Sequence, residues 1–171
     1  MSQEKTKLIR IFEYALNQEK TGLSFFNTSL ERMDSASAKS AFKILVEEEK
    51  KHIQYIGNIL KDLRESGEII PLSLKKVEIM PTNFFEDREK SEFLERCISE
   101  SMIPDVTVFN TAWLIEKDLS NFYASMINEV TEERAKEAFQ QLSNWEKEHE
   151  LFFREFRDKL TSEYATMPWG G

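Results

Sequence analysis

The sequence is short of chain breakers, of sulfur and of imidazole. Its 171 residues include five Gly and four Pro, too few to punctuate a many-stranded sheet but well suited to long helices. A single cysteine, Cys97, rules out a disulfide framework, a zinc knuckle or a Cys-x-x-Cys iron site within this sequence. Alone, Cys97 reads as a small buried hydrophobe. Basic residues are in the minority: 23 Lys and Arg against 31 Asp and Glu give a net charge of -8 and a pI near 5.0. No basic stripe is available to neutralise phosphates, which argues against nucleic acid and anionic membrane surfaces as partners and leaves small molecules and other proteins. The sequence also has no run of 18 apolar residues, and its first ten residues lack the apolar centre of a signal peptide. The expectation is therefore no membrane span and a cytoplasmic location.

What the sequence does have is apolar mass. With 40% hydrophobic residues and 13 Phe, residues 1–171 can bury the core of a single domain. The charged fraction of 32% then goes to the outer faces of the helices.

The two histidines organise the rest. His52 and His149 each follow a glutamate by three residues, Glu49 and Glu146, and each of these pairs is preceded 30 residues earlier by another glutamate, Glu19 and Glu116. The two sets are offset by 97 residues, and the same offset relates Ala15 to Ala112 and Phe25 to Phe122. It extends into the scaffold, pairing Phe12, Ala38, Ala41, Phe42, Leu45 and Lys50 with Phe109, Ala135, Ala138, Phe139, Leu142 and Lys147. One helical hairpin is used twice, and two such units close a bundle by covering each other's apolar faces.

Periodicity predicts four long helices. The first spans residues 6–33; the second is capped by Asp34 and stops at Ser66-Gly67; the third starts at Pro104-Asp105 and runs past Met126; the fourth is capped by Thr131 and ends near Leu160. Residues 67–103 form a connection too long for a hairpin turn and must travel the length of the bundle. In it, Pro71 and Pro81 favour extended chain, and Asn83 with Glu86 matches a capping box that opens a short helix near residues 84–101. Residues 163–171 read as a flexible tail with Trp169 as its only anchor. A four-helix bundle with one long crossover between its second and third helices is the ferritin-like arrangement.

Helix geometry brings the ligand candidates to one height. Glu19 and Glu49 stand 15 residues before and after Asp34, about 22 Å from the turn at 1.5 Å per residue. Glu116 and Glu146 stand likewise around Thr131. The i, i+3 spacing puts each His on the face of its Glu. Four carboxylates among Ala15, Phe26, Leu45, Ala112 and Leu142 would repel one another in an apolar core, and no Lys or Arg shares their register. Two divalent metals would cancel their charge. Glu13, Glu47, Glu48, Glu148 and Glu150 read instead as solvated helix-surface carboxylates. Tyr123, seven residues after Glu116, is either a hydrogen-bond donor behind the ligands or a core tyrosine.

The segments Ala15-Leu-Asn-Gln-Glu19, Glu49-Lys-Lys-His52, Ala112-Trp-Leu-Ile-Glu116 and Glu146-Lys-Glu-His149 resemble the rubrerythrin branch of the ferritin-like superfamily. The resemblance implies two iron ions, or manganese, with Glu49 and Glu146 bridging, Glu19 and Glu116 each chelating one metal, and His52 and His149 as terminal nitrogen ligands. It further implies an oxidoreductase that reduces peroxide or O2 with electrons from an external donor protein. The alternative is a ferritin-like protein that binds or oxidises iron without another substrate, and a homodimer is compatible with either. The sequence departs from the family pattern in three places. It has no cysteine-rich electron-transfer site, Leu119 stands where many relatives have a further Glu, and Phe26 replaces a tyrosine.

Overall fold

The computed structural model describes residues 3–33, 36–75 and 103–166, and the elements among them are all helical. The helices are α1 (Gln3–Leu30), α2 (Ala36–Glu65), the short α3 (Pro71–Lys75), α4 (Ile103–Glu129) and α5 (Glu133–Thr166). The four long ones form a ferritin-like bundle. α1 packs chiefly on α2 and α4 chiefly on α5, while the seam between α1 and α4 is much less intimate. α1 and α4 run antiparallel: Lys7, near the start of α1, donates from Nζ to the Glu129 carbonyl at the end of α4 (3.2 Å), and the Tyr14 ring meets Phe122 at 5.2 Å.

The repeat is visible in the packing. The core consists of two apolar clusters. One contains Phe12, Ala15, Ala135, Ala138, Phe139 and Leu142; the other contains the residues 97 positions away, Phe109, Ala112, Ala38, Ala41, Phe42 and Leu45. The internal symmetry therefore exchanges the two clusters. Even an aromatic pair is repeated: Phe12 stacks on Phe139 with centroids 4.6 Å apart, and the equivalent Phe42 and Phe109 meet edge to face at 5.2 Å. Aromatic pairs of both geometries add to the stabilisation that area burial already provides.

The helix ends show where sequence patterns mislead. Thr131 does not cap α5: its hydroxyl pairs with Glu4 on α1. Glu132 takes that place, accepting the Ala135 amide on its side chain (2.6 Å) while its carbonyl accepts the Lys136 amide (3.1 Å). The longer Glu side chain reaches the orphan N–H that a threonine would otherwise satisfy. α5 continues to Thr166 rather than stopping near Leu160, so the first four residues of the expected tail are helical. Pro71 opens α3 instead of holding extended chain, because its missing N–H costs nothing at a first helical position. α1 ends at Leu30, where the Arg32 and Met33 amides both turn back to the Ser29 carbonyl.

At the far end of α2 the expected stop holds. Gly67 has φ of 87° and donates its amide to the Asp62 carbonyl (3.3 Å), a left-handed helix cap that favours glycine. The buried Asp62 then accepts the Ile70 amide on Oδ2 (3.0 Å), and Arg134 donates to the Ile69 carbonyl (2.7 Å). These bonds fix the departure of the crossover. Asp34, Pro81, Asn83, the helix expected near residues 84–101, Cys97 and Trp169 lie outside the described residues.

Because each apolar cluster is filled by large rings that are wholly buried, Phe139→Ala and Phe42→Ala should each lower unfolding free energy by about 3–5 kcal/mol. Denaturant unfolding of the metal-free protein checks this, and near-equal losses would reflect the symmetric roles of the two rings.

Candidate metal centre

Between the two apolar clusters lies a layer of buried charge. Glu19, Glu49, Glu116 and Glu146 are completely shielded from solvent, and His52 and His149 nearly so. No Lys or Arg is buried among the described residues. The structure thus brings together all six residues singled out in the sequence, one glutamate from each of α1 and α4 and a Glu-x-x-His pair from each of α2 and α5.

Their geometry resolves into two overlapping sets. Glu19, Glu49, His52 and Glu146 offer ligand atoms that all lie within 4.8 Å of one another, and Glu49, Glu116, Glu146 and His149 do the same. Glu49 and Glu146 belong to both, and each divides its oxygens between the histidines. Glu49 turns Oε2 toward His52 Nδ1 (3.4 Å) and Oε1 toward His149 Nδ1 (3.1 Å). Glu146 turns Oε1 toward His52 Nδ1 (2.6 Å) and Oε2 toward His149 Nδ1 (3.7 Å). Seven of the eight carboxylate oxygens in this layer receive no aligned hydrogen bond. Buried, unsatisfied oxygens are costly unless something else meets them, and a pair of divalent cations is the simplest partner for four carboxylates and two imidazoles in this arrangement.

The remaining oxygen is Glu19 Oε1, which accepts the hydroxyl of buried Tyr123. Tyr123 is therefore a donor directly behind a ligand candidate. Burial and the nearby Glu19 charge hold its phenol well above the ordinary range, so it stays protonated. Its repeat counterpart, Phe26, offers no hydroxyl to Glu116. Trp145 adds a second asymmetry that sequence reading missed. Its indole stacks on His52 at 4.9 Å and 12° and fixes the plane of that imidazole, whereas the equivalent position in the first hairpin is Glu48. The adjacency of Trp145 to Glu146 was the only signal in the sequence.

Other acidic residues fall outside the layer. Glu48 and Glu150 are buried, contrary to the solvated role their composition suggested, because basic neighbours cover them: Lys51 reaches Glu48 at 3.0 Å and Lys147 reaches Glu150 at 2.8 Å. Trp113 also donates to Glu150 (2.9 Å). Glu13 and Glu47 are exposed enough to pair at the surface with Arg64 and Lys50. Leu119 packs in the apolar cluster around Tyr123 and brings no oxygen to the site.

Without metal, the layer redistributes protons. Burial raises the Glu19 and Glu116 carboxyls well above the usual range, and the charges of Glu146 and Glu49 reinforce it. Burial acts on Glu49 and Glu146 too, but the adjacent imidazoles outweigh it and hold both below the usual range. Burial opposes the imidazolium, yet Glu146 and Glu49 lift His52 from 6.5 to about 9, and His149 is raised well above its ordinary value.

These features define a buried carboxylate and histidine cluster that fits a metal site, in a ferritin-like bundle. The rubrerythrin family model matches residues 10–157, and the chain belongs to that family. No curated protein and no solved structure matches it. Among the described residues, no helix is long and apolar enough to cross a membrane.

Since metal ligands must be deprotonated, metal uptake near pH 7 should expel the protons that His52 and His149 hold. The His52 proton alone should make affinity rise with pH up to about 9, by about tenfold per pH unit, and the raised His149, Glu19 and Glu116 groups should add to the dependence in the same direction. In the metal-free protein the sign reverses: the His52 contribution to stability is complete below 6.5 and disappears as pH rises through about 9. Titration calorimetry in buffers of different ionisation enthalpy measures the release, and a buffer-independent heat would contradict it.

Proposed function

We propose that this chain is a di-iron oxidoreductase that reduces peroxide or O2 with electrons from an external donor protein. The observation that carries the reading is the division of Glu49 and Glu146 oxygens between the two histidines, which suits two carboxylates bridging a metal pair. Glu19 and His52 would complete one position, Glu116 and His149 the other. An oxygen-rich donor set of this kind suits iron, with manganese as the alternative metal. A pair of ferrous ions supplies two electrons, the number needed to reduce peroxide to water.

The chain's own residues supply position and protons. The Tyr123 hydroxyl donates to Glu19 Oε1 and would orient that carboxylate and reduce the basicity of one of its oxygens, whereas neither Glu116 oxygen receives such a bond. Trp145 holds the His52 ring in plane. The two apolar clusters keep bulk water from the layer on both sides along the bundle axis, which strengthens every electrostatic interaction within it. Residues 1–171 contain one cysteine and so no cysteine-ligated iron site of their own, which is why the proposed reaction takes its electrons from an external donor.

Ferrous iron supplied anaerobically should load to about two ions per chain, as expected for four Glu and two His on a four-helix bundle. Elemental analysis measures this, and negligible iron, manganese and zinc would overturn the site. Glu49→Ala or Glu146→Ala should release both metals, while His52→Ala or His149→Ala should weaken chiefly one, by about 10–100-fold if the loss resembles other changes at metal sites. The reduced, loaded protein should then consume peroxide or O2 repeatedly when a reductant is present. Accumulation of iron far beyond two per chain without such turnover would favour the iron-holding alternative.

Tyr123→Phe makes the site more symmetric. It should leave metal stoichiometry unchanged and shift the absorption of the oxidised centre, because Glu19 loses the hydrogen bond that orients it and lowers its basicity. An unchanged spectrum would remove Tyr123 from any role at the metals.

A further inference from the structure

The seam between α1 and α4 opens into a cleft of about 430 Å³. Its lining follows the repeat: Gln18 and Ile115, Thr21 and Asp118, Gly22 and Leu119 are all pairs separated by 97 residues. Phe25 and Phe122, another such pair, also border it. The cleft is therefore centred on the internal twofold axis.

That axis also passes through the charged layer. Along α1 the facing residue on α4 moves steadily backward, from Glu129 opposite Lys7 to Phe122 opposite Tyr14 to Ile115 opposite Gly22. A residue faces its own repeat counterpart only near Glu19 and Glu116. The cleft and the carboxylates thus share one height and one axis. Gly22 and Leu119 lie three residues beyond those glutamates, about one helical turn along nearly the same face, and so form the floor that separates cleft from layer. Gly22 makes that floor thin: it carries no side chain, and a Cβ there would already be in ordinary contact with Ile115 Cγ2 at 3.5 Å, so a larger side chain would crowd the seam.

We propose that this cleft is the path by which a small neutral oxidant reaches the metal pair, with Gly22 as its narrowest point and Leu119 as the side chain that sets its width. The inference rests on the di-metal reading of the site. The passage suits a molecule of two heavy atoms, such as peroxide or O2. Anions are disfavoured by the net charge of -8 and by exposed Asp118 at the rim. Gln18 and Thr21 offer hydrogen bonds at the mouth, ahead of an apolar floor. The seams within each hairpin, between α1 and α2 and between α4 and α5, are tighter than the α1–α4 seam, and the cleft lies in that looser seam.

The test uses the full, iron-loaded, reduced protein and nitric oxide, a neutral diatomic whose association can be followed without turnover. Gly22→Leu should fill the floor, and Thr21→Trp, at an exposed position, should cover the mouth without entering the core. Both should slow nitric oxide association by about tenfold or more with metal content unchanged. Reoxidation by hydrogen peroxide and by O2 should slow in parallel. Leu119→Ala should accelerate reaction with tert-butyl hydroperoxide more than with hydrogen peroxide, because it widens the passage. Gly57→Leu serves as control, since nothing lies within 4 Å of a Cβ added there; it should leave the rates alone. Wild-type association rates in Gly22→Leu and Thr21→Trp with two metals bound would overturn the path while leaving the metal centre intact. Failure to bind metal would overturn the centre and the path together.

Discussion

Four carboxylates and two imidazoles buried in one layer, with no buried lysine or arginine among the described residues, form the constraint on which the rest of the structure depends. An isolated ionised carboxylate in a dry interior costs far more than any packing contact returns, so four of them demand compensation on the spot. Proton transfer from Glu to His supplies part of it in the metal-free chain, and the perturbed titration of all six groups records the strain. Divalent cations would supply it more fully, because they would meet oxygens that no hydrogen bond reaches. The apolar clusters on either side have the complementary task of holding helix backbones rigid enough that the charged groups cannot swing out to water.

Symmetry explains how one short sequence meets this demand. The two clusters are exchanged by the same operation that exchanges the ligand sets, so each stabilising contact serves twice. The departures from symmetry are correspondingly informative. Tyr123 for Phe26, Trp145 for Glu48 and Leu119 for Gly22 all sit next to the charged layer or its floor, and the first two act on the same ligand set, at Glu19 and His52. The two candidate ligand sets therefore share Glu49 and Glu146 but differ in what stands behind them.

The bundle and the six ligand candidates were legible in the sequence because both rest on spacing, and spacing survives translation into a helix. The offset between Glu19 and Glu116 and the i, i+3 spacing of Glu49 and His52 needed only the rise and twist of an α-helix to bring the groups together. Caps were less legible, since several residues near a helix start can reach the same amides. Thr131 had the expected chemistry, but Glu132 had the reach, and Glu4 engaged the threonine from another helix. Burial of Glu48 and Glu150 escaped composition for a related reason: the lysines that cover them are i±3 neighbours whose stems fold over the carboxylates, so a charged stretch became a covered surface. The stacking of Trp145 on His52 depends on contact between α2 and α5, which no local pattern encodes.

The sharing of Glu49 and Glu146 between the two ligand sets has a consequence for how such a chain can vary. Each set takes three residues from one hairpin and one from the other, so a lone hairpin has an incomplete coordination shell and two identical hairpins would have to associate to finish it. In such a self-assembled pair every substitution would appear at both positions at once. Joining the copies into one polypeptide removes that coupling. A tyrosine can then stand behind one glutamate and a phenylalanine at the equivalent place in the other half, and covalent linkage becomes the means by which two chemically distinct ligand sets arise from one repeated unit.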